Sequence, residues 1–396
     1  MRNPLGYLFA FLLSFTLISC GDNGGGDRPD GSSGGDIDDS EIRIGHFASL
    51  QGDNATFGQQ TDKGMQLAAD EINAAGGVLG KKIKLITEDT RSVAQDAGMA
   101  AEKLIGSDDV HVLVGEVASS LSLVAAPIAE REGVPMVSPA STNPKVTVNA
   151  DGSVKKNIFR ICFIDPFQGK VMAKFATEHL KAKKVAVLTD NASDYSVGLA
   201  NNFKETFTAM GGEIVEEQAY EAKQVDFKSQ LTAIKNAEPQ AIFIPGYYNE
   251  VSLIAEQARA LGITVPLLGG DGWDSPELTK GKFAQALEGS FFSNHYSVED
   301  TAAKVQDFKN KYSAKYGEDP GAMSALGYDA LYIIADAIKR AGKVDRAAIS
   351  KALAETKGFV GVTGTTTINA EHNADKPAVV LQIKGGKFTY FSTVSP

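Results

Sequence analysis

Ser119 and Ser120 close one short apolar run, residues 112–120 (VLVGEVASS), and Ser141 and Thr142 close another, residues 134–142 (VPMVSPAST). Hydroxyls at the ends of buried strands, beside the free N–H groups of a helix start, favour a carboxylate or another compact anion. An ordinary helix cap uses the same residue types, so one such end decides little by itself. The pattern returns three times. Residues 185–195 (VAVLTDNASDY), 241–250 (AIFIPGYYNE) and 265–274 (VPLLGGDGWD) are again apolar strands that open into polar, glycine-rich or aromatic turns. The five ends fall into an earlier and a later group, so two parallel sheets would each present an edge of pocket residues to the other, with a cleft between them.

The elements that must carry these ends alternate between strand and helix. Residues 42–47 read as a strand. Residues 58–75 read as a helix with Met65, Ala68, Ala69 and Ile72 on one face and Gly76-Gly77 as its stop. Residues 83–87 form the next strand, and the alternation continues through Val137 and again over 185–268. This order predicts an α/β fold of right-handed βαβ units in two doubly wound parallel-sheet lobes. Helices follow at 301–316, 323–341 and 346–356. The chain then finishes in β structure at 363–368, 378–383 and 388–391, with a turn at Gly385-Gly386.

The beginning of the chain has a different character. Arg2 precedes an apolar stretch at 5–18 that ends in Leu17-Ile18-Ser19-Cys20, the pattern of a bacterial lipoprotein signal in which Cys20 carries the lipid. Residues 1–19 are too short and wrongly flanked for a membrane span and are set aside from the fold. Residues 20–40, rich in Gly, Ser and Asp, cannot offset the entropy of ordering and read as a tether with a reach of roughly 25 Å. The expected location is the periplasm or cell envelope, with membrane contact only through the anchor. With 39 basic and 49 acidic residues the chain carries a formal charge of −10, which argues against nucleic acid or an anionic lipid surface as a partner. Cys162 is the only cysteine besides Cys20, so no disulfide joins two parts of the folded body; in the run IFRICFI it reads as a small core residue.

Taken together, the blocks IRIGHFASLQGDNATFG, GMQLAADEINAAGGVLGKKIKLITEDT, VGEVASS, VPMVSPAST, SDYSVGLANNF, DFKSQLTAIK, PGYYNEVSLIAEQARALG and GGDGW resemble the type I periplasmic solute-binding proteins. The branch is the leucine/isoleucine/valine-binding receptors that feed ABC importers, and the likeness spans nearly all of the chain after the signal. It implies two lobes joined by a three-crossing hinge near 160–165, 291–296 and 367–374. Lobe 1 would comprise 41–162 and 293–370, and lobe 2 would comprise 163–292 and 371–396. It implies a monomer without a cofactor or metal, an amino-acid ligand held by hinge closure, and permease subunits in the inner membrane as partners.

The resemblance also implies roles for residues. Ser119 and Thr142 would hold the ligand α-carboxylate, the carbonyl of Ala140 would accept from the α-ammonium, and Asp271 would pair with that ammonium. Tyr195 and Tyr247 would come from the second lobe, Phe57 would stand near the cleft mouth, and Trp273 would floor an apolar pocket or cover the hinge. A zwitterion leaving water needs both an anion nest and an acid, since an unpaired buried charge costs several kcal/mol. The sequence departs from the family's best-known members in one respect: Ser92 and Ala118 stand where those carry a cysteine pair, so that staple is absent. Val117 and Ala118 border the side-chain pocket, and Glu116 and Trp273 are unexpected for a strict leucine binder.

An enzyme finds no positive signal. There is no GxSxG elbow, HExxH pair or phosphate loop, and the five histidines, at 46, 111, 179, 295 and 372, are scattered. The alternative is a ligand-sensing module of the same fold for amides, urea or aromatic acids. Asp271 and Ser119 favour the amino acid.

Overall fold

The computed structural model describes residues 40–395; the expected signal sequence, the lipidation site Cys20 and the tether up to residue 39 lie outside them. The first sheet is built from β1 (Glu41–Ala48), β2 (Lys82–Asp89), β3 (Val112–Val114), β4 (Met136–Ser138) and β5 (Ile158–Arg160), all parallel, in the order β2-β1-β3-β4-β5. Helices α1 (Ala55–Ala74), α2 (Ala94–Gly106) and α3 (Ser119–Arg131) connect its strands. β3 and β4 are three-residue runs buried on both faces, as a helix-covered parallel strand must be.

The second sheet follows the same plan. After α4 (Asp165–Lys174) come β6 (Lys184–Asp190), α5 (Asp194–Ala209), β7 (Glu213–Tyr220), α6 (Lys228–Asn236), β8 (Ala241–Phe243), α7 (Tyr248–Ala260), β9 (Leu267–Gly269), α8 (Gly281–Ala286) and β10 (Phe291–Asn294). The chain then returns to the first sheet's side with α9 (Ala303–Tyr316), α10 (Ala322–Ala341) and α11 (Arg346–Ala354), followed by a small antiparallel sheet of β11 (Phe359–Gly361), β12 (Gly364–Ile368) and β13 (Ala374–Asp375). It ends in the hairpin β14 (Ala378–Lys384) and β15 (Lys387–Val394), which completes the second sheet as β15-β14-β10-β9-β8-β6-β7. That hairpin pairs antiparallel to β10, so the second sheet is parallel only from β7 to β10.

The chain therefore passes between the sheets three times: after β5, after β10 and after β13. β10 carries the second sheet to Asn294, two residues beyond the expected segment end at 292, and β13 keeps the small sheet as far as Asp375 before the last passage.

Glycines set the closest helix contact in the first lobe. A Cβ on Gly64 of α1 would sit 1.9 Å from the Ser324 carbonyl oxygen of α10, and one on Gly327 would sit 2.4 Å from the Thr61 carbonyl. Only hydrogens fit there, and α10 is held directly on α1. Strand order reverses between β1 and β3 in one sheet and between β6 and β8 in the other. Open α/β sheets receive ligands at the carboxyl ends flanking such a switch point, and here the two points face each other.

Candidate functional site

On the first lobe, the turn after β3 is shaped by Glu116. Its buried carboxylate accepts from Ser49 Oγ at 2.6 Å and Thr90 Oγ1 at 2.8 Å on one oxygen. The other oxygen accepts from the Val117 and Ala118 N–H groups at 2.8 and 3.1 Å. All four bonds come from its own lobe, so Glu116 holds the shape of this turn. The turn delivers Ser119, 1% exposed, to the start of α3, where its Oγ accepts from the Asn143 N–H at 3.3 Å.

Ala140 and Thr142 lie in the buried loop after β4, which opens into a short 3₁₀ turn at Pro144–Val146 and no α-helix. Arg160, at the end of β5, is fully buried and fastens this loop. Its guanidinium donates to the carbonyls of Ser141 at 2.6 Å and Asn143 at 2.7 Å and to Thr147 Oγ1 at 3.2 Å. Of the four hydroxyls singled out by sequence, two are committed elsewhere. Ser141 Oγ donates to the Glu116 carbonyl at 2.8 Å, and Ser120 Oγ to Asp194 Oδ2 at 3.2 Å. Ser119 Oγ makes no bond but the one it accepts from Asn143, and Thr142 Oγ1 has no partner among the described residues.

The second lobe brings an aromatic pair and an acid. Tyr195, in the first turn of α5, stacks on Tyr247 with ring centroids 5.1 Å apart, and its hydroxyl accepts from the Gly272 N–H at 3.1 Å. Tyr247 meets Phe57 of the first lobe edge-on at 5.9 Å, and Phe57, fully buried, also meets Tyr248 at 5.0 Å. Burial, with Asp271 adding to it, pushes both the Tyr195 and Tyr247 phenols upward, so they stay neutral. Asp271, 3% exposed, opens the 3₁₀ turn Asp271–Trp273 after β9, and its backbone N–H donates to Gln168 Oε1 at 2.7 Å. Its Oδ2 accepts from His295 Nε2 at 3.0 Å. Burial pulls His295 below its ordinary range, so the ring is a neutral donor with Nε2 protonated; it stacks on Phe163 at 3.7 Å. Trp273 turns toward the second sheet: its indole N–H donates to the Ile244 carbonyl at 3.0 Å and its ring lies over Gly269 and against Phe292.

Sequence reasoning missed Asp165, Gln168, Asp274 and the part played by His295, and read Arg160 only as hinge. Asp165 begins α4, one turn before Gln168, and its N–H donates to the Thr142 carbonyl at 3.0 Å. Burial first, with the neighbouring Asp271 adding to it, pushes its carboxyl up to about 8 against the opposing effects of the Thr142 side chain and then Arg160. Asp274 is pushed up to about 6, again chiefly by burial. The only local signal was an acid before proline at a helix start, which also fits a plain cap. Cys162 is an inert core thiol, pushed by burial up to about 12.

Of the buried side-chain atoms without a partner among the described residues, six belong to this group: Thr142 Oγ1, both Asp165 oxygens, Gln168 Nε2, Asp271 Oδ1 and His295 Nδ1. Native proteins rarely leave such groups unpaired, and the contacts above connect these side chains to one another. The lobes also meet at contacts and a cavity that none of these side chains lines. Tyr248 Oη donates to the Asp53 carbonyl at 2.9 Å, and Asn143 Nδ2 to the Asp194 carbonyl at 2.7 Å. A cavity of about 140 Å³ opens beside Tyr247, between Ala118 and Leu121 on one lobe and Asp190 and Glu250 on the other. Among the described residues no cluster of His, Cys, Asp and Glu could hold a metal ion, and no helix is long and apolar enough to cross a membrane.

Residues 41–387 match the family model described as periplasmic binding protein. The chain is 31% identical to the "Leu/Ile/Val-binding protein homolog 3" of Brucella melitensis biotype 1 over 86% of this chain and 90% of that one. Among solved structures it is similar to a leucine binding protein, LivK, of Thermotoga maritima MSB8, at a TM-score of 0.85 and 41% identity, covering 90% of this chain and 99% of that one. It is also similar to the branched-chain amino acid transporter substrate binding protein LivJ of Streptococcus pneumoniae in complex with isoleucine, at a TM-score of 0.82 and 37% identity, covering 90% and 100%.

Proposed function

Because the chain belongs to the periplasmic binding protein family, we propose that it captures a branched-chain or similar apolar amino acid between its lobes and presents it to the permease of an ABC importer. The observation that carries this reading is that each lobe buries a polar atom without a partner, Thr142 Oγ1 on one and Asp271 Oδ1 on the other. The first suits an α-carboxylate, together with Ser119 and the start of α3. The second, with the Ala140 carbonyl, suits an α-ammonium. The Tyr195–Tyr247 stack and Phe57 supply apolar wall, and Trp273 supports that wall from behind. Hinge closure does the work and no covalent step is required; the ligand shifts the open and closed forms by its differential affinity for them. Micromolar affinity, about −8 kcal/mol, holds the ligand and still permits release. The reading places the receptor in the periplasm as a monomer, anchored through a lipidated Cys20.

Calorimetry on the purified protein with leucine, isoleucine and valine, against benzoate, acetamide and urea, tests the proposal. The expected result is micromolar binding of at least one of the amino acids; binding confined to the aromatic acid or the amides would transfer the reading to the sensing alternative. Asp271→Ala is expected to weaken amino-acid binding about tenfold or more, the cost of leaving an ammonium unpaired in a buried site. An unchanged affinity in that variant would remove Asp271 from the pocket.

A further inference from the structure

Helix α10 begins at Ala322 behind Gly321, a residue with no side chain to accept the helix's first N–H groups. The acceptor comes from 48 residues away and from the other lobe: Asp274 Oδ2 takes the Ala322 N–H. Asp274 is 4% exposed, and a Cβ on Gly321 would stand 2.5 Å from Gln60 Oε1 and 3.2 Å from that Asp274 oxygen, so the glycine leaves room for both side chains. The start of a 20-residue helix favours a negative group. Because α10 is pressed on α1 through Gly64 and Gly327, whatever holds its start holds the first lobe.

The ion pairs across the cleft are of a different kind. Lys223 to Asp53 at 3.2 Å and Lys145 to Asp194 at 3.9 Å join exposed side chains, where water competes and little stability results. Asp274 instead brings a buried carboxylate across, alongside the Tyr248–Asp53 and Asn143–Asp194 hydrogen bonds already described.

We propose that Asp274 is the inner latch of the closed form, a helix cap supplied by one lobe to the other and engaged only when the lobes meet. This rests on the hinge-closure reading above. Asp274 acts through α10 as a positioning residue and does not touch the ligand.

Two measurements test it, one independent of any ligand. Nitroxide labels at Gln66→Cys and Thr208→Cys, exposed positions on α1 and α5, report the distance between lobes by electron–electron resonance, Cys162 being buried. Asp274→Ala is expected to lengthen and broaden that distance in the ligand-free protein, while Asp274→Asn, which keeps an acceptor oxygen, preserves it. With leucine as probe, stopped-flow release is expected to quicken about tenfold in Asp274→Ala, the effect of losing a helix cap, with association nearly unchanged and Asp274→Asn close to the parent. If leucine fails to bind the parent protein, the proposed ligand is wrong, and the distance measurement still decides the latch. Identical distances in all three proteins, even with a lowered urea midpoint for Asp274→Ala, would make Asp274 merely structural and overturn the proposal.

Discussion

Arg160→Leu is expected to lower folding stability by about 3 kcal/mol or more and to abolish ligand binding with it. The guanidinium satisfies two buried carbonyls and the Thr147 hydroxyl in the loop after β4. Leucine fills part of the volume but takes a charged donor from all three. The Asn143 carbonyl keeps the Val146 N–H, the Ser141 carbonyl only the weak Cys162 thiol, and Thr147 its bond to Asn373. Each lost bond to a charged group costs about 1.5 to 3 kcal/mol. Part of that cost is relieved by the loop moving away, and Thr142 and Ala140 move with it. A urea titration read by circular dichroism gives the stability change, and calorimetry with leucine gives the binding loss. A variant with the parent midpoint would mean that the loop holds its shape without the guanidinium.

The second large effect concerns pH. The Asp165 carboxyl titrates at about 8 in the folded protein, against 3.8 as its ordinary value. A carboxyl raised on folding favours the fold while both states are protonated, below about pH 4, and loses that advantage as pH rises through 8. The upper bound on the loss is roughly 5 kcal/mol at pH 8, from about four units at 1.36 kcal/mol each. Asp165→Asn is therefore expected to match the parent near pH 4 and to exceed it in stability by several kcal/mol at pH 8. Asp274, raised to about 6, adds a smaller slope of the same sign that both proteins share. Parallel stability–pH curves for the two proteins would show that Asp165 is ionised in the fold at neutral pH.

The fold was legible wherever burial imposes a period. In α1 the spacing of Met65, Ala68, Ala69 and Ile72 reads directly as a buried face, and the short strands β3, β4 and β8 read as apolar runs that stop at polar turns. The edge strand β7 (EIVEEQAY) did not stand out, because its half-exposed face is charged. Ser119 and Asp271 announced themselves as the ends of strands, which is a local property. Asp165, Gln168 and His295 could not do so. Gln168 reaches Asp271 across 103 residues and His295 reaches it across 24, and that meeting exists only once the hinge crossings converge. The same holds for Asp274, whose role depends on a glycine at the start of a helix in the other lobe. Trp273 shows the reverse: being the only tryptophan drew attention to it, while its N–H and its ring are both engaged with the second sheet.

The way the second sheet is finished bears on how the protein is made. β10 lends its outer edge, Phe291 to Asn294, to Val379–Gln382 of the hairpin, so during translation that edge stays open until a segment made well after it has left the ribosome. A chain stopped short of β14 would carry an apolar strand with an open side, the kind of surface on which nascent polypeptides stick to one another. Loss of the final hairpin should therefore show itself as aggregated product rather than as a shorter working receptor.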